Sequence, residues 1–166
     1  LKHAYPRMLG DDAHIGATAR AFAEKVQPLS VLLNDILGLD GRLFHAPAGA
    51  PTVTYHAPCH LCRGLGVHAA PQTLLRDAGY RFAPAGEEET CCGFGGTYSA
   101  KFPEISAEIL AKKLDDAGRT GAELLVTECP GCVMQLRGGA RRQGLALQVE
   151  HLAEVLVKKL RAGSGK

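Results

Sequence analysis

The chain has 166 residues, enough for one domain with a real core and too few for two full ones. An apolar fraction of 46% and a charged fraction of 22% are those of a folded soluble protein. A formal charge of +2, with 5% aromatic residues and no tryptophan, gives no electrostatic or stacking case for nucleic acid. No apolar run is long enough for a transmembrane segment, and no charged-then-apolar leader precedes a cleavage site. A cytoplasmic protein is therefore expected, peripheral to a membrane only through partners. Leu1 in place of a methionine predicts a fragment of a longer chain.

Residues 11–38 read as helical. Asp11-Asp12 offers a helix start, Pro28 a break, and Leu29, Leu32, Leu33 and Ile36 follow at helical spacing until Gly38 and Gly41. The segment HAPAGAP, His45 to Pro51, reads as a linker. Beyond it the pattern changes. Thr52 to His56 (TVTYH) is a short β-rich run, a helix follows around Ala70 to Ala78, and Tyr80 to Ala83 reads as a second strand. Pro103 suits the first turn of a helix with Ile105, Ile109, Leu110 and Leu114 on one face. Leu124 to Thr127 is an apolar third strand, buried on both faces, and Pro130 opens a helix through Val133, Leu136 and Ala140. Leu145 to Val149 reads as a fourth strand. Leu152, Val155, Leu156 and Leu160 mark a final amphipathic helix. This order predicts an α/β fold: a mostly parallel open sheet with helices on both faces, preceded by an N-terminal helical segment. The organisation expected is a lead-in and linker over 1–50, a cysteine-rich domain over 51–161, and a tail over 162–166.

Six cysteines in a chain of this size favour metal or redox chemistry over a disulfide scaffold. Cys59 and Cys62 follow the first strand, Cys129 and Cys132 the third, and Cys91-Cys92 lie in a glycine-rich loop before the Pro103 helix. Loops after the carboxyl ends of parallel strands share one edge, so three distant loops are expected to meet there. Adjacent thiolates suit two irons of one cluster better than a strained vicinal disulfide. Gly93, Gly95 and Gly96 let the backbone pass close to a bulky cofactor with its amides free to donate to sulfur. Cys129-Pro130-Gly131-Cys132 spans a strand end and a helix start, where the helix dipole favours thiolate. That segment alone also suits a thioredoxin-like dithiol, but this reading leaves the other cysteines unused.

Cys59-x2-Cys62 is the ambiguous pair. Pairing with the later Cys-x2-Cys as a zinc site requires a separation far beyond that of a zinc ribbon. Arg63 stands where c-type haem attachment requires histidine. Cys59 is expected to be a ligand and Cys62 a spare or conditional one. His56 and His60 flank Cys59 as candidate hydrogen-bond donors to the ligands of such a site or as outside ligands themselves. Gly64 to Ala69 fits a dinucleotide fingerprint with Glu87 beyond it, but the glycines do not follow the strand directly.

Cys59, a gap of 31 residues, Cys91-Cys92-Gly93, a gap of 35 residues, then Cys129-Pro130-Gly131-Cys132 makes a specific signature. In the contexts YHAPCHLCRGLGV, ETCCGFGGTYSAKFPEIS and TECPGCVMQLRGG, it resembles the cysteine-rich CCG domain over residues 51–157. That domain occurs in heterodisulfide reductase and in the iron–sulfur subunits of glycolate oxidase and L-lactate utilisation. The resemblance implies a non-cubane [4Fe-4S] cluster on Cys59, Cys91, Cys92, Cys129 and Cys132. Cys62 stands where these families usually carry a small residue. The opening LKHAYPRMLGDD resembles the connection after a first repeat, so a preceding repeat of the same subunit is expected. Partners implied are a flavin-containing 2-hydroxyacid (lactate or glycolate) dehydrogenase subunit and other iron–sulfur subunits, with this chain passing electrons onward. Two alternatives remain: disulfide or thiol redox catalysis at the cluster, and a structural zinc module.

Overall fold

A computed structural model describes residues 1–44 and 49–162. The lead-in holds α1 (Ala4–Leu9), α2 (Gly16–Lys25) and α3 (Leu29–Val31), the last running into a π turn over Leu32–Ile36. Then come β1 (Thr52–His56), α4 (Cys59–Leu65), α5 (Ala69–Asp77), β2 (Arg81–Phe82), α6 (Thr97–Lys101) and α7 (Pro103–Arg119). The chain continues through β3 (Leu124–Thr127), α8 (Pro130–Arg142), β4 (Gln148–His151) and α9 (Leu152–Ala162). The strands form one sheet in the order β2-β1-β3-β4, and every neighbouring pair is parallel. The α/β class and parallel sheet expected from the sequence are present.

Side-chain alternation along the strands divides the core. Val53, Tyr55, Leu124 and Val126 face Leu74 and Leu75 of α5 and Leu152, Val155 and Leu156 of α9. Leu125 and Val149 face the other way, against Leu110 and Leu114 of α7 and Leu136 and Ala140 of α8. Each fully buried leucine contributes about 1.5–3 kcal/mol relative to exposure. Helices on both faces leave the carboxyl ends of the strands as the free edge.

Several local readings differ from the structure, each for a physical reason. Asp12 does not head a helix: its carboxylate accepts the N–H groups of His14 and Ile15 at 2.8 and 3.0 Å, holding a turn, and α2 begins only at Gly16. The π turn widens the helix after α3, with Leu37 N–H bonded to Leu32 O. Leu32 and Ile36 are consequently exposed while Leu33 packs on the core. Ile105 also faces outward. The fourth strand starts three residues later than its apolar run, because Leu145 N–H still closes the end of α8 on Ala140 O. Helices α1, α4 and α6 have six, seven and five residues, too short for periodicity to reveal. Gly66 adopts φ +68° and ends α4, with its N–H on Cys62 O and that of Val67 on Leu61 O. The glycines of the dinucleotide look-alike thus close a helix instead of opening one. Residues 45–48 of the expected linker and 163–166 of the tail lie outside the described residues. No helix among the described residues is long and apolar enough to cross a membrane.

Candidate metal centre

Three loops do converge at the carboxyl edge. β1 ends at His56 and turns through Pro58 into α4, whose first residue is Cys59. β3 ends at Thr127, and Cys129 caps α8, with Pro130 in the first turn and Val133 N–H on Cys129 O at 2.9 Å. The loop after β2 is drawn in where Ala57 N–H donates to Glu88 O at 3.1 Å, and it delivers Cys91 and Cys92.

The thiols fall into two groups joined by the Cys91–Cys92 peptide. Cys92 and Cys132 Sγ are 3.4 Å apart and buried, and Cys129 hydrogen-bonds to Cys132. Cys59 and Cys91, both half-buried, hydrogen-bond to each other. Cys62 goes elsewhere. It packs among Leu74, Leu75 and Val155 on the opposite face of the sheet, with Sγ 3.9 Å from both Ala57 O and Cys59 O. One extra participant joins the first group: a ring nitrogen of His56 and the sulfurs of Cys92 and Cys132 all lie within 4.8 Å of one another, a set able to hold a metal ion.

The backbone around these sulfurs supplies donors. Gly93 N–H points at Cys91 Sγ at 3.3 Å, and Phe94 N–H donates to Cys92. This turn requires Gly93. Its φ is +85°, and a Cβ there would sit 2.6 Å from Ser106 O. Ser106 Oγ donates to Gly93 O at 2.8 Å and accepts from Gln135, pinning the turn to α7 and α8. Gly131 leaves room between Cys129 and Cys132 for the Phe94 ring, which a Cβ would meet at 2.9 Å. Gly95 and Gly96 have φ of +53° and +61° and turn the chain into α6, a Cβ at Gly95 meeting Tyr98 at 2.8 Å.

The bond to Cys132, the neighbouring His56 ring and the Phe94 N–H together outweigh burial and lower the Cys92 pKa. Cys132 is pushed up, first by its bond to Cys92 and then by burial, so the pair favours a single shared thiolate. Cys59 is raised by burial and by the neighbouring Cys91. Burial lowers His56, which favours the neutral ring. Lys113 is buried on the apolar stripe of α7, and burial lowers its pKa as well. Its Nζ donates to the carbonyls of Glu87 and Glu88 (3.0 Å to the latter), fixing the loop that carries the cysteine pair. Lys113→Met should cost about 1–2 kcal/mol in denaturant melts, because the Glu87 and Glu88 carbonyls each lose a donor and keep only the Thr90 and Ala57 N–H groups, while the packing volume stays. An unchanged midpoint would show that the loop is held by other contacts.

The chain belongs to the cysteine-rich CCG domain family. The family model, described as "Cysteine-rich domain", matches residues 53–137, which include all six cysteines and His56. "Lactate utilization protein A" of Exiguobacterium sp. is 38% identical over 153 residues, covering 92% of this chain and 61% of that protein. The proteins of the same name from Oceanobacillus iheyensis and Bacillus subtilis are 39% and 35% identical, each over 155 residues and 92% of this chain. The chain spans 62% and 63% of their respective lengths.

Lys113, Ser106 and Glu128 were not anticipated as parts of this centre. Lys113 carried a signal, since it sits on the stripe Leu110, Lys113, Leu114, Ala117 where a solvated lysine has no place. Glu128 precedes Cys129 and accepts Ser30 N–H at 2.8 Å, tying the lead-in to the centre across 98 residues. No spacing rule reveals a contact of that range.

Proposed function

We propose that this chain is an iron–sulfur electron-transfer domain working in lactate utilisation. The observation that carries the reading is the meeting of Cys59, Cys91, Cys92, Cys129 and Cys132 from three loops at one sheet edge, with Gly93 and Phe94 N–H groups aimed at sulfur. The donor set fits a cluster. Soft thiolates are its usual ligands, a depressed thiol pKa prepares one of them, and backbone amides stabilise the charge on sulfur. The five cysteines would hold a non-cubane [4Fe-4S] group, which takes up and releases single electrons when bound. Cys62, turned into the opposite core, would not be a ligand. Residues 1–50 would form the lead-in, tied to the cysteine-rich domain where Ser30 N–H donates to Glu128. The names of the relatives support lactate as the substrate upstream. A flavin-containing dehydrogenase subunit would donate the electrons, with a preceding repeat and other iron–sulfur subunits in the assembly.

Protein purified without oxygen should bleach in the visible on dithionite addition and recover its spectrum on mild reoxidation. A paramagnetic signal should appear and vanish in step. A coloured protein that does not respond to reduction would contradict electron transfer. One observation favours a second reading: His56, Cys92 and Cys132 also suit a borderline divalent ion, as in a structural zinc site. Stoichiometric zinc without sulfide would select it.

A further inference from the structure

His56 is fully buried, and neither ring nitrogen makes a complete hydrogen bond among the described residues. Thr127 stands beside it in the β1–β3 register, on the same face of the sheet. Its hydroxyl is equally buried and equally without a partner among the described residues. Two adjacent, water-excluded polar groups with unused hydrogen-bonding capacity call for an acceptor that arrives later. The Cys92 sulfur is a group of that kind, sharing a 4.8 Å neighbourhood with the His56 ring and with Cys132. A metal-bound thiolate has lost its proton and can only accept. A neutral imidazole presents one N–H and one lone pair, and a hydroxyl donating to the lone pair leaves the N–H for the sulfur.

We propose that His56 donates a ring N–H to the Cys92 sulfur of the bound cluster, and that Thr127 sets the tautomer that makes this possible. The inference rests on the cluster reading above and assigns His56 as a positioning residue that tunes the cluster's potential. An N–H···S bond stabilises the reduced, more electron-rich cluster, so its presence raises the reduction potential.

The test is an anaerobic redox titration of wild-type protein, His56→Leu, His56→Gln and Thr127→Val, with iron and sulfide measured on each. The expected result is a lower potential in His56→Leu and recovery towards wild type in His56→Gln, whose amide still donates. A smaller fall in the same direction is expected in Thr127→Val. A coupled exchangeable proton seen by pulsed paramagnetic resonance in wild type should be missing in His56→Leu. Equal potentials across cluster-bearing wild type, His56→Leu and His56→Gln would overturn the proposal. If His56→Leu does not hold a cluster, Thr127→Val decides: a lowered potential supports the proposal and an unchanged one overturns it. Wild-type protein that takes up no iron or sulfide would instead overturn the cluster reading, and the role of His56 with it.

Discussion

Cys92→Ser is expected to abolish cluster assembly. Cys92 shares a single thiolate with Cys132 at 3.4 Å, with the Phe94 N–H and the His56 ring beside it. A serine hydroxyl stays protonated where the thiol ionises, and it leaves the buried Cys132 and His56 facing a poor ligand. The loss should exceed the roughly 10–100-fold that removing an outer-shell partner costs in metal affinity. Iron and sulfide per chain in anaerobic preparations measure it. The matching control is Cys62→Ala. Cys62 lies in the α5–α9 half of the core, so its truncation should cost about 1 kcal/mol of stability and leave iron at the wild-type level. Loss of iron from Cys62→Ala together with its retention in Cys92→Ser would reverse the ligand assignment.

The largest stability change is expected at a residue that binds nothing through a side chain. Gly93→Ala places a Cβ 2.6 Å from Ser106 O at a φ of +85°. The obstructing atom is backbone inside α7, so relief requires moving either that helix or the turn that carries both thiols. The cost should be about 2–4 kcal/mol, combining left-handed strain with the clash. In a domain of this size that lowers the melting midpoint by about 5–12 °C. The sign should reverse at Gly138 in the middle of α8, where a Cβ meets nothing within 4 Å. There Ala should add about 0.5–1 kcal/mol through helix propensity alone. Thermal melts of the two variants side by side read both effects, and a stable Gly93→Ala would mean that the turn adapts.

Much of this architecture was legible because its causes are local or topological. Apolar alternation and proline placement located β1, β3, α7 and α8. The rule that parallel strands share a carboxyl edge is enough to bring Cys59, Cys91-Cys92 and Cys129-x2-Cys132 together. What escaped depends on orientation. Cys62 reads as a spare or conditional ligand until α4 is seen to start at Cys59, which rotates Cys62 towards Leu74 and Leu75. His56 stands out in the sequence as a neighbour of Cys59, yet the alternation in TVTYH relates it instead to Thr54, on the face where Cys92 and Cys132 lie. Lys113 hid because lysine is ordinarily read as surface. Its burial follows from two backbone carbonyls that only the folded loop presents.

Whether these thiols hold a sulfide-bridged iron cluster is tested most directly by metal and sulfide analysis of oxygen-free protein. Brown protein carrying about four irons and four sulfides per chain is the predicted result, with all of it lost in Cys92→Ser. Colourless protein with one zinc and no sulfide would contradict the cluster.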